Sequence, residues 1–165
     1  FDGTVIVTAS TPEKRQLCLE FGASHAFDYR DPGWTDQVRA ATGGQGVDVI
    51  LDGQAGPYTQ PELDLLRSDG RLVLIASHLG KTAAINLNDI VRRRLTLTGS
   101  TLRPRSRAYK GQIASQLTDR VWPLIETGQI RTHIHEVFAF DDMRRAHALM
   151  DSNDQMGKVV VRVAP

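Results

Sequence analysis

A run of β-formers from Thr4 to Thr8 gives way to Ser10 and Thr11, then Pro12, then two cations, Lys14 and Arg15. Two hydroxyls and two cations at the start of a helix are the parts of an anion site. The free N–H groups and positive dipole end of a helix N-terminus favour a phosphate. The hydroxyls can donate to it, Lys14 one turn in can lean back over it, and Arg15 can reach it from the neighbouring face. The same residues also suit an ordinary capped helix with solvated basic side chains. Tyr29 ends the next extended run, "HAFDY". A phenol there could stack on a base, bond a phosphate, or stand as a surface-edge aromatic.

Other chemistry is thinner. His133 and His135 form an H-x-H on an extended run and so share a face, but zinc needs a third ligand and none is close in sequence; no metal site is expected. The single Cys18 excludes an intramolecular disulfide and any multi-thiolate site, and its apolar helical setting predicts an inert core thiol. Asp48 and Asp52 flank a run read as a buried strand; Asp52 reads as a turn cap, with ligand contact as the alternative. His78 reads as an exposed loop histidine. Arg92 to Arg94 and "RPRSR" have only Tyr109 nearby, so they read as solvated faces or subunit contacts rather than a nucleic-acid site. A net charge of +1 over 165 residues gives no field for nucleic acid or acidic membranes. No apolar run is long enough to cross a bilayer. A cytoplasmic protein with no nucleic-acid or membrane partner is expected.

These residues must be positioned by alternating strands and helices. "TVIVTA" reads as a strand buried on both faces, followed by a helix with Thr11 or Ser10 as cap and Pro12 in its first turn, where a missing N–H costs nothing. "HAFDY", "VDVILD", "RLVLIA" and "LTLTG" read as further strands, the third entered through an Asp69-Gly70 turn. Helices are expected over Thr35–Thr42, Pro61–Leu66 and Asp89–Arg93. "GGQG" at Gly43 closes a helix and is a turn, not a phosphate cradle. This alternation predicts an α/β fold with a parallel, doubly wound sheet. A longer helix from Arg105 to Thr127 carries Ile113, Leu117, Val121 and Leu124 on one face, with a kink or break expected at Pro123. After Gly128, "HIHEVFAF", a helix over Asp141–Asp151 and "KVVVRV" read as an appended α+β segment. The expected division is a partial dinucleotide-binding domain over residues 1–130 and a C-terminal segment over 131–165.

In dinucleotide folds an acid ending the second strand bonds the ribose 2′-OH of NAD, whereas a cation accommodates the 2′-phosphate of NADP. Ser10 and Thr11 with Lys14 suit the phosphate. The motifs "TASTPEKRQLCLEFGASHAFDYRD", "ATGGQGVDVILD", "LRSDGRLVLIASHLG", "RRRLTLTGSTLRPRS" and "AHALMDSNDQMGKVVV" together resemble the C-terminal half of zinc-independent, zeta-crystallin-like quinone oxidoreductases of the medium-chain dehydrogenase/reductase superfamily. The resemblance covers nearly the whole chain. It implies NADPH as coenzyme, with Thr11, Lys14 and Tyr29, beside Ser10, at the 2′-phosphate. It places Gln54 to Gly56 on the adenosine side of the cleft and Ser77 to Gly80 toward the nicotinamide. The chain departs from the family pattern at both turns, reading Gly53-Gln54-Ala55-Gly56 and Ala76-Ser77-His78-Leu79. The resemblance also implies a homodimer through the strand Leu95–Thr101, and a final segment, from about Arg131, that completes the other domain.

By the same resemblance the chain starts at the second strand of a 3-2-1-4-5-6 sheet and lacks the first strand and its Gly-rich pyrophosphate loop. Strands two and four must then pair directly, recruit another chain or stay unfolded. The expected function is a fragment of an NADPH-dependent oxidoreductase that passes hydride to a quinone or activated enone, inactive alone, with no catalytic residue of its own. The alternatives are a non-catalytic nucleotide-binding or dimerisation module and a methyltransferase; the second usually carries an acid where Ser10 and Thr11 stand.

Overall fold

The structure, a computed structural model, describes residues 3–163. They fall into two compact units that divide between Pro104 and Arg105. In the first, β1 (Ile6–Thr8) leads through α1 (Pro12–Glu20) to β2 (His25–Phe27), and α2 (Trp34–Ala41) leads to β3 (Val47–Asp52). A 3-10 turn at Gly56–Tyr58 and α3 (Thr59–Leu65) follow, then β4 (Leu66–Leu74), α4 (Leu87–Arg93) and β5 (Thr96–Gly99). Every ladder is parallel, in the orders β1-β2 and β3-β4-β5. The predicted alternation and parallel sheet are therefore present. Among the described residues β1 and β3 share no ladder; each keeps only its outer neighbour.

Partners across a parallel ladder share a face. Ile50 and Leu72 are such partners, and their face packs on Leu63 of α3, Ile90 of α4 and Leu66, Leu74 and Leu95. Leu63 and Leu72 are the largest fully buried side chains. The opposite face is uncovered: Val49 is 60% exposed and Leu51 67%. β1 is only half-buried at Ile6 and Val7. The expectation that "TVIVTA" is buried on both faces therefore fails, and β3, read as a buried strand, is covered on one face only.

β4 begins earlier than its sequence suggests. Val47 pairs with Leu66, the register shifts, and pairing resumes at Val49 and Arg71. The predicted Asp69-Gly70 turn is thus an excursion within the strand, with Asp69 at φ 66°. Its carboxylate takes both Nε and Nη2 of Arg94 at 2.7 Å; Arg94 ends α4 at φ 53°. Arg93 donates to the Leu66 carbonyl. Two of the three clustered arginines are therefore tied into the fold rather than left to solvent.

In the second unit, α5 (Arg107–Arg120) is capped by Ser106, whose Oγ accepts the Tyr109 N–H at 3.2 Å. The helix breaks at Val121, and α6 (Trp122–Glu126) restarts with Pro123 in its first turn, as expected. β6 (Ile134–Ala139), a 3-10 turn at Phe140–Asp142, α7 (Met143–Ser152) and β7 (Lys158–Arg162) make a parallel β-α-β unit. Phe138 and Ala146 are its buried contacts, with the Arg145 guanidinium 5.6 Å from the Phe138 ring centre. Among the described residues no helix is long and apolar enough to cross a membrane.

Candidate functional site

Parallel α/β sheets bind ligands beyond the carboxyl ends of their strands, and the predicted residues of the first unit lie there. After β1, Thr11 is extended (φ −119°, ψ 155°) and its side chain accepts the Lys14 N–H at 3.2 Å, the N-cap read from sequence. Arg15 does not face an anion site. Its guanidinium donates to the Ala9 carbonyl and pairs with Asp28, both at 3.0 Å, which ties β1 to the end of β2. Glu13 stands in the first turn. Its own backbone N–H, the Thr11 hydroxyl and the Arg15 charge hold its carboxyl below the usual range.

At the end of β2 the half-buried Tyr29 meets Tyr58 edge-on, with ring centres 5.9 Å apart, and Trp34 approaches Tyr58 at 6.3 Å. Asp28 beside it is held low by the Arg30 backbone N–H and by the Arg30 and Arg15 charges. Tyr58, which sequence reading missed, thus links the β2 end to the turn after β3.

The turns after β3 and β4 run side by side. Leu79 N–H donates to the Gln54 carbonyl at 2.9 Å, His78 N–H donates to the Gly53 carbonyl at 3.2 Å, and Ala55 bridges Gly80. Gly56, at φ 59°, abuts Gly80 so closely that a Cβ on Gly56 would lie 3.1 Å from the Gly80 Cα. Gln54, Gly56, Ser77 and Gly80 are therefore brought together on one rim. Gln54, Ser77 and His78 are exposed. Asp52 caps its own turn: Oδ1 accepts the Gln54 N–H and Oδ2 the Ala55 N–H, both at 2.7 Å.

Glu62 of α3 is the residue the sequence did not reveal. It is 9% exposed and hydrogen-bonds Asp52, which is 5% exposed. Burial first, then the Asp52 charge and that hydrogen bond, push Glu62 from 4.5 up to about 8. The folded state then holds a proton that the unfolded chain releases near 4.5, so stability falls as pH rises between those values and levels off above about 8. With some solvent screening allowed for, the loss is on the order of 2–3 kcal/mol. Urea midpoints at pH 6 and pH 9 check it: the wild type should lose stability across that interval, and Glu62→Gln should lose little of it.

Cys18 is half-buried on α1, a helix with no fully buried residue, rather than in a core. His135 Nδ1, in the second unit, accepts the Met156 N–H at 3.4 Å. Among the described residues no three His, Cys, Asp or Glu side chains are placed to hold a metal.

A mostly parallel α/β sheet with a rim of turns at its carboxyl ends defines a dinucleotide-type fold. Residues 21–161 match the family model described as zinc-binding dehydrogenase, and the chain belongs to that family of oxidoreductases. A probable quinone oxidoreductase of Schizosaccharomyces pombe is 30% identical over 159 residues, covering 95% of this chain and 46% of that relative. A lovastatin diketide synthase of Aspergillus terreus is 28% identical over 167 residues, covering 98% of this chain and 6% of that protein. The Escherichia coli quinone oxidoreductase complexed with NADPH superposes with a TM-score of 0.81 at 24% identity, over 97% of this chain and 49% of that one. The chain thus spans less than half the length of each of these relatives. The resemblance to quinone oxidoreductases of the medium-chain superfamily holds, as does the Rossmann-like fold. The family's description names zinc, but the residues described form no ligand set for it.

Proposed function

We propose that this chain forms the coenzyme-binding part of an NADPH-dependent oxidoreductase that reduces a quinone or an activated enone. The observation that carries the reading is the N-terminus of α1 at the end of β1, capped by Thr11 and carrying Lys14, on the same strand-end rim as Tyr29. Ser10 and Thr11 would donate to the 2′-phosphate, Lys14 would neutralise it, and Tyr29 would flank the adenosine. Gln54 and Gly56 would line the adenosine side, and Ser77 and Gly80 the nicotinamide side. The close backbone approach at Gly56 and Gly80, where a Cβ would intrude, fits a flat ligand lying over that rim. When bound, the reduced nicotinamide supplies a hydride. The chain's residues bind and orient it, and none is assigned as catalytic.

The segment from Arg131 onward completes the domain that carries the substrate pocket, and this chain by itself does not turn over substrate. The test is binding of NADPH against NADH by the complete enzyme. A preference for NADH would overturn the reading. The synthase relative, matched over nearly all of this chain, favours a second reading, in which the segment reduces enones within a larger assembly. Assaying the complete protein with a benzoquinone and with an α,β-unsaturated thioester separates the two. A non-catalytic nucleotide-binding module would bind coenzyme and reduce neither.

The β5 edge supports a homodimer through Leu95–Thr101. All four residues of β5 are exposed, the strand pairs only with β4 among the described residues, and no charge lies within it. Such an edge recruits a partner strand. Leu97→Lys is expected to weaken dimerisation about 100-fold, read by sedimentation velocity; an unchanged dimer would place the interface elsewhere.

A further inference from the structure

The Asp52–Glu62 pair is a poor device for stability. Burial and the neighbouring Asp52 are what act on the Glu62 carboxyl, both against its charged form. Glu62 Oε2 is buried without a hydrogen-bond partner. An apolar side chain of similar volume would remove both the desolvation and the orphaned oxygen. What the pair does is local. Asp52 accepts two backbone N–H groups of the turn that carries Ala55 at φ 56° and Gly56 at φ 59°, and that turn is bridged to Gly80. Of two carboxyls sharing a buried site, one keeps its proton at neutral pH. Asp52, with two N–H donors on it, is the acceptor, and the shared proton sits on Glu62.

We propose that Glu62 is a positioning residue of the coenzyme cleft: its carboxyl proton, donated to Asp52, fixes that carboxylate against the Gln54 and Ala55 N–H groups and so holds the turn that meets Gly80. The proposal rests on the coenzyme reading above. Facing Glu62 are Asp52 from β3 and the Tyr58 phenol, which burial, and then the Tyr29, Asp28 and Glu62 charges, push above its ordinary value and so out of the relevant range. Loss of the Glu62 proton above about pH 8 sets two carboxylates against each other and frees the turn.

The experiment measures two things in the complete enzyme between pH 6.5 and 9.5. One is hydrogen exchange at the Gln54 and Ala55 amides, corrected for intrinsic pH dependence. The other is NADPH affinity, from the fluorescence of the reduced nicotinamide. In the wild type both amide protection and affinity should fall about fivefold between pH 8 and pH 9. Glu62→Gln, which keeps a donor but cannot ionise, should give flat profiles at the wild-type neutral value. Glu62→Leu should keep or raise the melting temperature, yet lose affinity about tenfold at every pH. Flat wild-type profiles, a Glu62→Gln profile that still bends near pH 8, or wild-type affinity in Glu62→Leu at pH 7 would each overturn the assignment. Amide protection that follows Glu62 in an enzyme that binds NADPH at no pH would uphold the clamp and overturn the coenzyme reading instead.

Discussion

Glu in place of Lys14 is expected to raise the Kd of the complete enzyme for NADPH about 100-fold while leaving that for NADH within about twofold. The two coenzymes differ by one phosphate, which at neutral pH carries close to two negative charges. Lys14 sits in the first turn of α1, with its backbone N–H already on the Thr11 side chain. Reversing its charge puts a second carboxylate beside Glu13 at the place proposed for that phosphate. Glu13→Gln should act in the opposite sense. Glu13 now takes the Thr11 hydroxyl as its donor. Neutralising it removes a competitor and a like charge, so NADPH affinity should rise severalfold. Isothermal titration with both coenzymes reads all four combinations. An unchanged NADPH-to-NADH ratio in Lys14→Glu would remove the basis of the proposed selectivity.

The largest stability effect is expected at Gly46, where alanine should cost more than about 3 kcal/mol in urea denaturation. Gly46 has φ +84°, and its missing Cβ points at the Leu65 carbonyl oxygen, with Arg67 N and Leu66 C each at 3.2 Å. All three atoms are backbone, at the junction where α3 passes directly into β4. They cannot swing aside as a side-chain tip would. Gly44, at φ +80° with nothing within 4 Å of its built Cβ, is the control. Gly44→Ala should cost only the backbone strain, about 1 kcal/mol. Equal losses at the two positions would mean that the junction yields.

What could be read from the sequence was governed by neighbours along the chain. The Thr11 cap, the Pro123 break and the Gly43–Gly46 turn each depend on a few adjacent residues, and each stands where expected. Asp52 as a turn cap is of the same kind, since its partners are two and three residues away. What was hidden depends on contacts far along the chain. Whether Val49 and Leu51 are buried is decided by what lies over β3, not by their own hydrophobicity. Glu62 sits on a helix among Leu63, Asp64 and Leu65, a context that reads as a solvated position. Only the packing of α3 against the β3 end makes it a buried acid. Arg15 was misread for a related reason: sequence shows a cation at the right spacing, but not that Asp28, from the next strand, already holds it.

Asp69 and Arg94 give the fold a property that neither has alone. Both occupy left-handed backbone without being glycine, and each is the other's bidentate partner. Glycine at position 69 would relax one corner and orphan the guanidinium at the other, and the reverse exchange would strand the carboxylate. Drift at these two positions should therefore be correlated across lineages, with the acid and the base inherited or discarded as a couple.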